Sequence, residues 1–186
     1  WRFYQAPQTP VYLGDSRVTK KSAWSLLLSA TALFSGLVTN PTFADSDKRF
    51  PIGPDADMTP GELCQHADQI RYPEKIKYCE RHVSTSLKKR IIKIYDAEFG
   101  FSIGKMDRAE FKIDHYIPLC MGGSNDISNL WPQHRSVYQY TDRLEEATCI
   151  KMREGRLKQA EAVEIIKAAK ANLDQADEYL DEVNKR

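Results

Sequence analysis

Apolar residues change their spacing several times along this 186-residue chain, and each change predicts an element. Residues 22–38 form an uncharged, mostly apolar run behind Lys20-Lys21. Residues 45–58 are polar and carry Pro51, Gly53 and Pro54, which predicts an extended lead-in with no core of its own. Thr59-Pro60-Gly61-Glu62 has a capping threonine, a proline at the first helical position and a glutamate three residues past the cap. Those signals predict a helix to about Ile70, broken at Tyr72-Pro73. Leu87, Ile91 and Tyr95 recur at helical spacing from Ser86 onward, thickened by Ile92 and Ile94, until Gly100 supplies a stop.

The period then changes. Phe111-Lys112-Ile113 alternates like a short strand, residues 122–126 form a glycine-rich turn, and residues 128–131 return as a second short strand. A helix is expected over 141–153, ended by Gly155. In a last helix over about 157–183, Ile166, Ala169, Leu173, Ala176, Leu180 and Val183 step by threes and fours. That narrow seam packs on its own domain or, in the sharper alternative, pairs with a partner chain. The pattern as a whole predicts an α+β fold, predominantly helical, with one domain over 59–186.

The apolar run near the amino end is 17 residues long, short of the roughly 20 that a spanning helix needs, and serines and threonines interrupt it. Thr42-Phe43-Ala44 adds a small-x-small cleavage pattern, so residues 18–44 read as a secretory signal peptide cut after Ala44. Residues 1–17 match no element and are expected to be a leader that is never translated, with synthesis starting at Val18.

Export changes the reading of Cys64, Cys79, Cys120 and Cys149. They are even in number, contain no Cys-x-x-Cys pair and would meet an oxidising compartment, so two disulfides outrank a zinc site. Three pairings are possible. Cys64 with Cys79 and Cys120 with Cys149 is preferred because each joins neighbours in sequence.

The net charge of +1 also shifts on export. Losing residues 1–44 removes four bases and one acid, leaving 23 bases against 25 acids, a net of −2. A slightly acidic protein is a poor unspecific polyanion binder. Bases are nonetheless concentrated over 71–93, where Lys88, Lys89 and Arg90 are candidate nucleic-acid contacts, or simply a solvated helix face. His66 and His82 have no partner spacing and read as surface residues. Trp131 and Tyr116 read as core aromatics.

The densest chemistry is Asp114-His115-x-Ile-Pro-Leu-x-x-Gly-Gly, followed by Asn129-Leu-Trp-Pro and a helix containing Asp142-Arg143-Leu144-Glu145. This pattern resembles the ββα-metal core of HNH endonucleases, most closely the small exported bacterial HNH-motif proteins. The resemblance covers about 111–146, a minority of the chain.

It implies that His115 is the general base which deprotonates water, that Asn129 holds the imidazole, and that Asp114 ligates a divalent metal, with Mg²⁺ favoured for a hard oxygen donor. The family's second metal ligand is usually a histidine, and here the match is incomplete. His134 stands earlier than the usual interval, while the late position carries Gln139. His134 is the preferred ligand and Gln139 the weaker amide alternative.

The function this implies is an exported metal-dependent endonuclease acting on DNA, with RNA second and weak sequence preference. Its rival is a catalytically impaired nucleic-acid- or protein-binding protein that kept the fold. A structural partner protein using the carboxyl-terminal seam is a third reading.

Overall fold

The computed structural model describes residues 49–186, so the expected leader and signal peptide lie outside the described residues. Among the described residues the fold is α+β, with four helices and two small antiparallel sheets. Strands β1 (Gln69–Arg71) and β2 (Ile76–Tyr78) form one hairpin, and β3 (Phe111–His115) and β4 (Leu130–His134) the other. The helices are α1 (Thr85–Glu98), α2 (Arg135–Arg153), α3 (Gln159–Ala171) and α4 (Ala176–Asn184).

The β3–β4 hairpin is the centre of the molecule. Phe111, Ile113 and His115 are buried while Lys112 and Asp114 are partly exposed, the period-two pattern of a half-buried strand. Ile91 and Tyr95 of α1 pack against Phe111, Ile113 and Trp131 in one apolar cluster. A second cluster gathers Leu144 and Met152 of α2 with Ile165, Ile166 and Ala169 of α3 and Leu180 and Val183 of α4.

The expected helix from Thr59 does not form. Gly61 sits at φ 83° and its N–H donates to the Ser128 carbonyl, while Cys64 N–H donates to Gly122 and Ser124 N–H to Glu62. Residues 62–64 therefore run extended along the glycine loop, because these long-range backbone bonds replace a helix's own. Thr59 is buried, with its hydroxyl 3.1 Å from that of Tyr95, so it does not cap a helix. Tyr72-Pro73 breaks no helix; it forms the turn of the β1–β2 hairpin, closed by Lys75 N–H to Tyr72 O.

Two helix boundaries also differ from expectation. Helix α2 starts six residues before Thr141, directly after β4, with the His134 imidazole accepting from Ser136 N–H as its cap. The long final helix is two. Asn172 leaves helical geometry at φ −141°, ψ 96°, and its side chain caps a single turn over Leu173–Gln175 before α4 begins. This break lets α4 fold back onto α2, burying Ile166, Ala169, Ala176, Leu180 and Val183 in the chain's own core. The seam is thereby filled from within.

Both preferred disulfides are present, Cys64–Cys79 and Cys120–Cys149. The first ties the extended segment to the end of β2; the second ties the catalytic-loop candidate to α2. Such bonds fit an oxidising compartment. Among the described residues no helix is long and apolar enough to cross a membrane.

Candidate functional site

Strand β3 delivers Asp114 and His115 to the rim of the hairpin, and α2 runs past the same end. Tyr138, Asp142 and Glu145 stand at i, i+4 and i+7 on α2, one stripe of its surface. One carboxylate oxygen from each of Asp114, Asp142 and Glu145 lies within 4.8 Å of the others. The expected ligand Asp114 is in this group; the two helix acids carry a sequence signal, the Asp142-x-x-Glu145 step, which puts both on one helix face.

Two lysines balance the three acids. Lys112 Nζ lies 2.9 Å from Asp114 Oδ2 and 2.8 Å from Asp142 Oδ1, over the Tyr138 ring. Lys170 Nζ, wholly buried, lies 2.6 Å from Glu145 Oε1 and donates to the carbonyls of His115 (2.7 Å) and Tyr116 (3.2 Å). Burial pushes the Asp114 carboxyl up, but the Lys170 and Lys112 ammoniums outweigh it and hold the group below the usual carboxylate value. For Glu145 burial wins over Lys170 and raises the carboxyl. Asp114 is thus a dependable anion, and Glu145, paired with Lys170, is less firmly ionised.

His115 is 2% exposed and both ring nitrogens are engaged. Arg81 Nη1 lies 3.2 Å from Nδ1, and Asn125 Oδ1 lies 3.2 Å from Nε2. A guanidinium only donates, so Nδ1 accepts and the ring proton sits on Nε2, donated to Asn125. Asn125 is oriented to receive it: its Nδ2 donates to Glu80 O at 2.7 Å and its Oδ1 also accepts from His82 N–H. Burial, above all, lowers the His115 pKa to about 4; the Asn125 bond opposes this and the Arg81 charge adds to it. The imidazole is neutral at ordinary pH, with its one basic nitrogen, Nδ1, turned toward Asp114 at 3.9 Å and covered by Arg81.

Three assignments need correction. Asn129 does not hold the imidazole. Its side chain is fully buried, accepts from Ile117 N–H and donates to the carbonyls of Ile117 and Ser124, bracing the loop that joins the strands. The imidazole is held by Asn125, in the glycine-rich turn, and by Arg81, which no local pattern singles out.

His134 does not join Asp114. It pairs across the hairpin with Phe111, while Asp114 pairs with Trp131, three register steps or about 10 Å along the strands. Its ring stacks on Phe50 with centroids 3.8 Å apart, and Nδ1 serves the start of α2.

Gln139 does not join either. It is exposed, donates to Ser136 O, and lies about 100° around α2 from the Tyr138–Asp142–Glu145 stripe.

The basic candidates Lys88, Lys89 and Arg90 lie on the first turns of α1 and face solvent wholly or in part. His66 and His82 are exposed, and Trp131 and Tyr116 are core residues, as expected.

The donor set of Asp114, Asp142 and Glu145 is all carboxylate oxygen, which suits a hard divalent cation such as Mg²⁺, Mn²⁺ or Ca²⁺ and disfavours zinc. Asp114 and Asp142 retain access to solvent, and the cation now between them, Lys112, is itself partly exposed. The residues present therefore fit a divalent ion. No protein-family model, no curated protein and no solved structure matches the chain, so the site's own geometry carries its reading.

Proposed function

We propose that this chain is an exported, metal-dependent phosphodiesterase acting on nucleic acid, DNA first and RNA second, with weak sequence preference. The carrying observation is the convergence of Asp114, at the end of a hairpin strand, with Asp142 and Glu145 of the helix that follows, beside a neutral buried imidazole. Asp114 and Asp142 would hold the divalent cation, Mg²⁺ by the chemistry of the donors, with Glu145 beside them. The bound cation would stabilise the charge that builds on a phosphodiester under attack.

The chain's own residues supply the rest. His115 takes the proton of an attacking water on Nδ1, the nitrogen that faces the carboxylates, while Asn125 holds Nε2–H and so fixes the ring. Arg81 has to leave Nδ1 for this to happen. Arg81 is an exposed residue whose guanidinium also donates to the Ile113 carbonyl.

Two observations favour a second reading, a nucleic-acid-binding protein of the same fold that cuts nothing. Both His115 nitrogens are occupied and Lys112 bridges the acids where an ion would sit.

Plasmid incubated with purified protein separates the two. Nicking or linearisation in Mg²⁺ or Mn²⁺ that disappears with EDTA, with His115→Ala and with Asp114→Asn supports the enzyme. Intact plasmid with every divalent metal supports the binder.

A further inference from the structure

Away from the carboxylates, α1 and the chain that follows it border an open, shallow cleft of about 530 Å³. One wall is the α1 stripe of Lys89, Lys93 and Ile92; the other is Phe101, Ser102 and Lys105. The cleft is built into the fold. The Asp96 carboxylate accepts from Ile103 N–H at 2.7 Å and Gly104 N–H at 2.9 Å, pinning the second wall to the helix. Gly104 permits that approach, since a Cβ there would meet Asp96 Oδ2 at 3.0 Å. Phe101 is braced by the buried Tyr95 ring, with centroids 6.3 Å apart at an interplanar angle of 26°.

The charges around this cleft do not cancel. Lys89 and Lys93 are like charges one helical turn apart, an arrangement that costs stability when nothing offsets it. Among the described residues neither they nor Lys105 has a carboxylate partner, and the one acid in the lining, Asp96, is committed to backbone amides. Three ammoniums around an aromatic and aliphatic floor match a ligand that alternates phosphates with planar rings.

We propose that this cleft binds a single strand of nucleic acid, its phosphates against Lys89, Lys93 and Lys105 and a base against Phe101. The choice of occupant rests on the phosphodiesterase reading, and the cleft would give that enzyme a grip on the strand apart from its chemistry. It requires no sequence preference, because ammoniums and a ring face read neither base edge.

The test uses the purified protein in EDTA, so that cleavage plays no part, with a fluorescein-labelled 20-mer of thymidylate as the probe. Kd is measured by anisotropy across a range of NaCl concentrations. Lys89→Gln/Lys93→Gln/Lys105→Gln is expected to raise Kd at least tenfold and to reduce the slope of log Kd against log [NaCl] by about 2, three lost phosphate contacts at roughly 0.7 each. Phe101→Leu is expected to weaken the single strand severalfold and leave a duplex of the same length unchanged. Arg153→Gln/Lys158→Gln/Lys185→Gln, equal in charge but distant in sequence and fold element, is the control and is expected to bind like the parent.

An unchanged Kd and slope in the cleft variant with its circular dichroism intact overturns the proposal, as does equal weakening in the control. A protein that binds through the cleft yet cuts no plasmid leaves the cleft standing and removes the enzyme. One that cuts, with the cleft variant binding normally, removes the cleft alone.

Discussion

Arg81 donates to His115 Nδ1 at 3.2 Å and, through its other amino group, to the Ile113 carbonyl at 3.1 Å, so one side chain from outside the hairpin caps the only basic nitrogen of the imidazole. Arg81→Ala removes both the cap and a nearby positive charge. The His115 pKa is then expected to rise from about 4 toward the ordinary histidine value, and ¹⁵N–¹H NMR titration of the ring reads that shift directly. A titration superimposable on the parent's would show that Arg81 does not govern this nitrogen.

The depressed His115 pKa links folding to pH. Unfolded, the ring binds a proton near pH 6.5; folded, only near 4, so between those values the unfolded chain holds more protons and stability rises with pH. The contribution is fully present above about pH 6.5 and is lost as pH falls to 4, amounting to about 3 kcal/mol at most. Asp114 has the same sign in a lower window, its depressed pKa adding stability above the unfolded carboxylate value. Urea midpoints from pH 7 to pH 4 should fall more steeply for the parent than for His115→Asn, in which the titrating group is gone.

Lys112 neutralises two acids of the cluster, at 2.9 Å from Asp114 and 2.8 Å from Asp142. Lys112→Ala is expected to tighten Mn²⁺ binding by tenfold or more, measured by calorimetry, because the ion no longer competes with an ammonium. The same variant should melt below the parent without metal and regain that loss when Mn²⁺ is added. Metal affinity unchanged by the substitution would argue that the carboxylates are not the binding site.

The loop between the hairpin strands should be the least forgiving part of the chain. A Cβ on Gly123 would stand 1.8 Å from the Ile117 carbonyl oxygen, an impossible contact with backbone. Gly123→Ala is expected to yield no folded protein. Asn129→Ala strands three buried backbone partners and should cost about 3 kcal/mol or more in chemical denaturation, whatever its effect on catalysis. A small loss of stability with abolished activity would instead restore Asn129 to a chemical role.

Cys120–Cys149 spans 29 residues and Cys64–Cys79 spans 15, loops for which a disulfide contributes roughly 3 kcal/mol each by restricting the unfolded chain. Cys120→Ser/Cys149→Ser should lower the melting temperature by well over 5 °C. It should also weaken any metal affinity, since that bond joins the site's loop to the helix bearing Asp142 and Glu145. A melting curve unmoved by reductant would deny the bond a stabilising role.

The elements legible in the sequence were those whose evidence is local. Leu87, Ile91 and Tyr95 repeat at helical spacing and α1 forms there; Phe111, Lys112 and Ile113 alternate and β3 forms there. Both disulfides join the cysteines nearest in sequence, and Asp114 and His115 sit at the strand end, as expected. The helix anticipated from Thr59 carried sound local signals and still did not form, because Gly61, Cys64 and Ser124 found backbone partners across the glycine loop. A cap is worth about 1 kcal/mol and yields to several such bonds.

Chain patterning by itself determined the hairpin, the helix α1, the acidic and imidazole residues at the strand end and the cysteine pairs, since each depends on residues a few steps apart. Tertiary structure alone decided which groups surround those two residues. Arg81 reaches His115 from 34 positions away and Lys170 from 55, while His134, nearer in sequence than Lys170, is held about 10 Å off by strand register. Periodicity reports which face of an element a residue occupies; it contains nothing about what the fold lays against that face.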